Sequence, residues 1–415
     1  MRPARRVVVT GLGAVTPLGN TAKEFWTNVV AGKSGVGEIT LFDASHLPTR
    51  FAAEVRNFDP AETMGKKDAR KADRFSQFAV VAAKEALADS GLAITDENRN
   101  DIGVVMGSGI GGILTIENQH RIMLEQGADR LSPFFIPMLI SNIAPGLISM
   151  NMNVRGPTFT SVSACASSNN AIGEACRAVQ IGEAEAMICG GSEAPIAPLA
   201  VAGFCAMRAL STRNDSPATA SRPFDKDRDG FVIAEGGGAL LIEELEHARA
   251  RGANIYAEIV GYGKSSDAYH MVQPDPDARG VILAMERALR DAGIEPTDVD
   301  YINAHATSTD LGDIAETQAI HRVFGEGAKT LAVSSNKSMF GHALGAAGAL
   351  EGICTVMSIK NGIIPPTINY HHVDPECDLD CVPNVARKAE VNVAMSNSFG
   401  FGGHNAVLVF RKFVE

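Results

Sequence analysis

The stretch "EALADSGLAITDENRNDIGVVMGSG" from Glu85 is echoed by "RALRDAGIEPTDVDYINAHATST" from Arg287. Ala86, Leu87, Asp89 and Gly91 of the first recur as Ala288, Leu289, Asp291 and Gly293 of the second. Each copy reads as helix, glycine cap, loop, strand and a turn of small residues. A second echo pairs "GGGALLIEEL" with "GGHNAVLVFRK". Together the echoes favour a duplicated fold, with halves at 1–252 and 253–415. No low-complexity segment or long linker separates them, so the halves are expected to pack as one body.

Within each half, strand-like runs alternate with helical ones. The strand-like runs are "RRVVVTGLG", "DIGVVMGSG", "AMICGGSE", "GALLIEEL", "IYAEIVGYG", "VDYINAHATS", "TLAVSSN" and "NVAMSNSFG". "QFAVVAAKEALADSG" and "GVILAMERALRDAG" carry helical periodicity. The alternation predicts an α/β protein whose sheets are largely covered by helices, with its chemistry in loops at strand ends.

Composition removes several function classes. No apolar run approaches the roughly 18 residues of a membrane span. The opening "MRPARRVVVTGLGAV" resembles a signal peptide only until "TGLG" interrupts it, and no small-x-small cleavage site follows. The formal charge of −11 disfavours general nucleic-acid binding. Seven scattered cysteines fit a reducing compartment better than a disulfide framework. The expectation is a cytoplasmic protein that binds neither membrane nor nucleic acid.

Four places carry candidate chemistry. Cys165 sits in "SVSACASSNN" among small and polar side chains. It follows the β-prone "TFTSVSA" and precedes "SSNNAIGEACRAVQIG", an amphipathic helix ending at Gly182. At such a strand-to-helix turn the helix dipole and free N–H groups lower a thiol's pKa. Spacing alone leaves a nucleophile and a packed structural thiol both open. His305 in "NAHATSTDLGD" and His342 in "SSNKSMFGHALGAAGALEG" tip the balance towards a nucleophile, since both occupy strand-end loops amid Gly, Ser, Thr and Ala. Lys337 lies just before His342. In "SNSFGFGGHNA", His404 reads as a turn residue beside Phe399 and Phe401.

"GSGIGG" (107–112) formally matches a dinucleotide fingerprint, but the acid-terminated strand that a ribose needs is missing. It is read as a turn where backbone approaches a substrate. "HHVDPECDLDC" (371–381) fits none of the common zinc spacings and is read as a surface loop. "KKDARKADR" (66–74) is a basic island in an acidic chain, with Lys67, Arg70 and Lys71 at helical spacing on one face.

At these residues the sequence closely resembles the β-ketoacyl-acyl carrier protein synthases, condensing enzymes of the thiolase superfamily, and most of all their type II, elongating class. The resemblance rests on "VVVTGLGAVTPLGN", "GSGIGG", "SACASS", "STRNDSPATASRPFDKDRDGFVIAEGGG", "SSDAYHM", "NAHATSTDLGD", "NKSMFGHALGAAG", "PPTIN" and "NSFGFGGHN", in that order over nearly the whole chain.

It implies a thiolase-like five-layered αβαβα fold made of two duplicated halves, a homodimer, no cofactor and no metal. It implies a decarboxylative Claisen condensation. An acyl chain held on Cys165 joins malonyl carried by acyl carrier protein and becomes a 3-oxoacyl chain. By the resemblance, Cys165, His305, His342 and Lys337 are catalytic and Glu351 and Phe401 supporting, with backbone N–H groups of Cys165 and Phe401 as oxyanion donors. It puts Phe204 beside Phe401 as a gate, Ile110 in the acyl tunnel, and Thr307 and Thr309 on the phosphopantetheine arm. Lys67, Arg70, Lys71 and Arg208 become a docking surface for the acidic carrier.

Two departures from the family pattern, Ala306 and Phe340, are expected to reshape the pocket near the histidines. A ketosynthase of a type II polyketide pathway shares the same residues and is the alternative. A silent chain-length partner would lack Cys165, and a nucleotide-dependent oxidoreductase would rest on "GSGIGG" alone.

Overall fold

The computed structural model describes residues 5–414. Ten strands form one continuous mixed sheet. The first five are β1 (Val7–Val15), β2 (Ile102–Gly107), β3 (Thr158–Ser161), β4 (Ala186–Glu193) and β5 (Gly236–Glu244). The other five are β6 (Ala257–Ser266), β7 (Tyr301–Asn303), β8 (Ala332–Ser334), β9 (Val393–Gly400) and β10 (His404–Arg411). All eight strand-like runs of the sequence form strands.

Across the sheet the order is β3-β2-β4-β5-β1 and then β6-β10-β9-β7-β8. Each half therefore repeats one topology outward from the β1–β6 seam, where Val7 to Val9 pair antiparallel with Ile259 to Ala257. The register repeats as well. β4 and β5 pair antiparallel from Ala186↔Glu243 to Glu193↔Gly236, and β9 and β10 from Val393↔Arg411 to Gly400↔His404.

The helices make the remaining layers. α1 (Arg74–Ser90) and α2 (Ile143–Met152) cover the outer face of the first half-sheet. α3 (Ser167–Ile181), and further along a helix over Ala347–Asn361, lie between the two half-sheets. A helix over Arg279–Ala292 and another over Asp310–Phe324 cover the second outer face. The result is the five-layered αβαβα order that the family resemblance implies. Strands buried on both faces carry near-continuous apolar runs, as in the "AVLVF" of β10.

The echoed segments occupy equivalent places. α1 and the helix over Arg279–Ala292 both end on left-handed glycines, Gly91 (φ 64°) and Gly293 (φ 65°). A β-carbon on Gly11 of β1 would lie 2.1 Å from the Ala86 carbonyl oxygen, and one on Gly261 of β6 2.4 Å from that of Ala288. Glycine in both seam strands thus lets equivalent helices press onto the sheet.

Three sequence readings change. Cys377, Leu379 and Cys381 alternate inward, so the presumed surface loop packs its cysteines into the second half's core while His371 and His372 stay exposed. The helix of the basic island runs only over Lys66–Ala69, leaving Arg70 as its cap and Lys71 in the following turn rather than on one helical face. Phe340 turns into the central core against Phe25, with ring centroids 5.5 Å apart, instead of lining the pocket at the histidines.

Candidate active site

The site forms where strand ends from both halves meet over the N-terminus of α3. After β3 the chain enters a single 3-10 turn, Ala164–Ala166, and then α3. Ala164 holds φ at 50°, a left-handed value that bends the chain sharply and presents Cys165 at the apex. Side chains brace the turn: Ser167 Oγ receives the Ser163 N–H and donates to the Ala164 carbonyl, and Asn170 Nδ2 donates to Ser163 Oγ. Gly400 ends β9 against this turn. A β-carbon there would lie 2.8 Å from Ser163 O and 3.0 Å from Cys165 N. Glycine therefore lets the next residue, Phe401, turn its backbone N–H towards the sulfur, alongside the N–H of Cys165 itself.

His342 Nε2 lies 3.0 Å from Cys165 Sγ. Its backbone is fixed by the extended segment before β5: the His342 N–H donates to Val232 O at 2.7 Å, and its carbonyl accepts from Ala234 N at 3.0 Å. The His305 ring stands perpendicular to it, with centroids 5.4 Å apart. Backbone N–H groups of His305 and Ala306 both donate to Glu316, whose carboxylate also receives Asn397 Nδ2. Cys165 Sγ and one nitrogen of each imidazole lie within 4.8 Å of one another. All three residues are buried. The same donors could ligate a soft divalent cation. A second group, Asp225, Asp227 and His372, suits a cation less, because Asp225 already accepts the N–H groups of His371 and His372 and faces Arg222 at 3.6 Å.

Burial dominates the electrostatics. Both imidazoles are driven well below the usual histidine value, first by desolvation and then by the Lys337 ammonium, so they are neutral. The Cys165 thiol is pushed up to about 12 by the same desolvation, with Lys337 and the two backbone N–H groups pulling the other way. The sequence expectation of a lowered thiol pKa therefore does not hold for the resting site. The sulfur sits in a closed 3-10 turn, where exclusion of water outweighs the helix dipole. A neutral thiol beside a neutral imidazole acceptor can lose its proton to that ring as it attacks, without a standing thiolate.

Lys337 and Glu351 form a fully buried ion pair beneath the site. Glu351 contacts Lys337 and makes no hydrogen bond to His342, so it reaches the histidine only through the lysine's charge. Around the histidines runs a series of edge-to-face aromatic contacts: Phe204 to Phe231 (5.5 Å), Phe231 to His342 (5.4 Å) and His305 to Phe399 (5.6 Å). Phe204 and Ile110 pack in one apolar cluster with Phe231, Leu344, Ile196 and Val201, which makes a greasy wall beside the sulfur. Phe401 is half-buried at the turn between β9 and β10, and His404 opens β10 with its side chain exposed. Thr307 and Thr309 share a hydroxyl–hydroxyl hydrogen bond of 3.0 Å beyond His305. Lys67, Arg70 and Arg208 are exposed, and Lys71 Nζ sits 4.8 Å above the Phe134 ring.

Phe231, Glu193 and Glu316 escaped the sequence reading. Phe231 lies inside "DRDGFVIAEGGG" with nothing periodic to mark it, and only the bridge of Ile233 to His342 brings it to the site. A buried acid at the end of an otherwise apolar strand, as in "AMICGGSE", is the one local signal that could have flagged Glu193.

With this geometry in view, comparison with known proteins is specific. Residues 4–248 match the beta-ketoacyl synthase N-terminal domain and residues 256–371 the corresponding C-terminal domain. The chain is 54% identical over 409 residues to the 3-oxoacyl-[acyl-carrier-protein] synthase 2 of Synechocystis, covering 99% of this chain and 98% of that one. It is 53% identical over 413 residues to the Staphylococcus aureus protein of the same name, covering 100% of both. Among solved structures, a ketosynthase in complex with a type II polyketide acyl-carrier protein superimposes with a TM-score of 0.92 at 35% identity, over 99% of this chain and 100% of that one.

Proposed function

The chain belongs to the beta-ketoacyl synthase family, and from that premise we propose that Cys165, His305 and His342 carry out its condensation. The protein is an acyltransferase-class condensing enzyme of fatty-acid elongation, and acyl carrier protein presents its substrates. The observation that carries the assignment is one thiol 3.0 Å from one neutral imidazole, with a second imidazole standing perpendicular to the first.

In the first half-reaction Cys165 Sγ attacks the acyl thioester. The carbon–sulfur bond to the carrier breaks, and the thiol proton passes by way of His342 Nε2 to the departing carrier sulfur. The developing oxyanion meets the backbone N–H groups of Cys165 and Phe401. In the second, malonyl thioester loses carbon dioxide, and the electron pair of the broken bond becomes an enolate. Neutral His305 and His342 donate N–H bonds to the enolate oxygen, His342 taking up its Nε2–H tautomer once the thiol is acylated. The enolate carbon then attacks the acyl-Cys165 carbonyl, the new carbon–carbon bond forms, and the Cys165 sulfur leaves as a thiolate that takes a proton from water.

Lys337 and Glu351 position this array by holding a paired charge beneath it. Phe204 and Phe401 gate the acyl pocket that Ile110 lines, and Thr307 and Thr309 meet the pantetheine arm. Lys67, Arg70, Lys71 and Arg208 receive the acidic carrier, and the division after residue 252 separates the two halves. The chain works in the cytoplasm as a homodimer joined through β3. That strand is one of the two edges of the sheet, β8 being the other, and Phe159, Val162 and Met150 expose apolar side chains there. No described helix is long and apolar enough to cross a membrane.

The reading is tested by carbon dioxide release from malonyl-loaded carrier protein. His305→Ala and His342→Ala should each lose about a hundredfold or more, the scale of removing one oxyanion donor. Wild-type rates in both variants would reject the assignment. The polyketide alternative rests on the solved likeness at 35% identity. Turnover of a saturated acyl series against poly-β-keto intermediates decides between the two.

A further inference from the structure

Glu193 ends β4 fully buried, and its carboxylate accepts four hydrogen bonds. Oε1 takes Ser108 Oγ (2.9 Å) and Ile110 N (3.1 Å), and Oε2 takes Gly109 N (2.6 Å) and Gly345 N (2.9 Å). No step of the condensation uses this group.

The duplication explains its place. Cys165 is the middle residue of the 3-10 turn Ala164–Ala166, and Gly345 is the middle residue of the equivalent turn Leu344–Ala346. Both turns begin at a non-glycine residue with positive φ, Ala164 at 50° and Leu344 at 47°. Facing the first turn is Gly400, the last residue of β9, and facing the second is Glu193, the last residue of the equivalent strand β4. Where the reacting turn is met by a glycine that leaves the Cys165 N–H open to substrate, its counterpart is met by a carboxylate that occupies the Gly345 N–H. The Gly345 carbonyl is held too, by Ser168 Oγ. The second turn is thereby closed on both sides.

We propose that Glu193 is a positioning residue for acyl-chain selection: it uses the closed second turn as an anchor and ties to it the 108–110 turn that carries Ile110. Ile110 and Leu344 belong to the same apolar cluster as Phe204 and Phe231. One carboxylate therefore sets both sides of the acyl wall, at the strand end nearest the thiol. Glu193 touches no reacting atom and acts through the wall it holds. This rests on the reading of Cys165 as the acyl-accepting nucleophile.

Glu193→Gln tests it. An amide offers one acceptor oxygen in place of two, so either the Ser108–Ile110 pair of donors or the Gly109–Gly345 pair must face an NH2 group. Transfer of acetyl, butyryl, octanoyl and lauroyl chains from carrier protein to Cys165 is followed by intact mass. The variant should lose about tenfold more kcat/KM with octanoyl and lauroyl than with acetyl. The loss should fall in the acylation rate, with the KM for carrier protein unchanged. A loss that is uniform across chain lengths, or none at all, would overturn the proposal in favour of a merely structural acid. If Glu193→Gln fails to fold, Glu193→Asp, which keeps both acceptors on a shorter arm, is judged by the same ratio. A wild-type protein that takes no acyl chain on Cys165 would instead bring down the nucleophile assignment itself.

Discussion

Lys337 is the buried cation on which the site's charge balance depends. It is 1% exposed, it pairs with the fully buried Glu351, and its field reaches Cys165, both imidazoles and Glu316. Lys337→Met keeps the aliphatic stem and removes the charge, which leaves Glu351 buried beside nothing that compensates it. Breaking a buried pair from one side costs about 3–5 kcal/mol. Burial pushes the Glu351 carboxyl up to about 7 even with Lys337 opposing, so without the lysine the single variant should hold Glu351 in its protonated form and lose stability towards the lower end of that range. Lys337→Met/Glu351→Gln removes both charges and should recover most of the loss. Equilibrium denaturation in guanidinium reads both effects, and malonyl decarboxylation reads the site. The same substitution frees the imidazoles from a repelling cation, so their pKa values rise and the acid limb of the decarboxylation profile moves to higher pH. A double variant no more stable than Lys337→Met, or an acid limb that stays in place, would refute the reasoning.

Because His305 and His342 are held neutral, the unfolded chain gains a proton on each ring below about pH 6.5 that the folded chain does not, so this contribution is intact above that pH and is lost as pH falls, by up to about 1.4 kcal/mol per unit per ring. His305→Asn should reduce that slope in denaturation between about pH 5 and 6.5, and equal slopes in variant and wild type would contradict a neutral His305. Lys67→Glu/Arg70→Glu should raise KM for carrier-bound acyl chains far more than for a short pantetheine thioester, and equal effects on both would remove the docking surface. Thr160→Pro, on the β3 edge of the sheet, should shift the proposed dimer to monomer in light scattering, and an unchanged mass would place the interface elsewhere.

The fold was legible because its evidence is local and repeated. Helix, glycine cap and strand recur around Gly91 and Gly293, and a copied pattern implies a copied topology. Cys165, His305 and His342 were legible for a related reason, since each sits in a strand-end segment of small residues that leaves space around a reactive group. Contacts set by the meeting of the halves were not legible. Glu193 gains Gly345, and His342 gains Phe231, only after distant segments converge. The thiol's pKa was misjudged because sequence displays the helix that follows Cys165 but not the Gly400 backbone and His342 ring that close over it. In the 371–381 loop the alternation is only three residues long, and it turns Cys377, Leu379 and Cys381 into the core among polar and acidic neighbours that mark a surface.

The most direct test of Cys165 as the point of covalent attachment is the intact mass of the protein after incubation with acyl-loaded carrier protein. Wild type should gain the mass of one acyl group, the gain should map to the peptide bearing Cys165, and Cys165→Ala should gain nothing. An acyl adduct that persists in Cys165→Ala, or wild type that remains unmodified while still producing 3-oxoacyl thioester, would contradict the account.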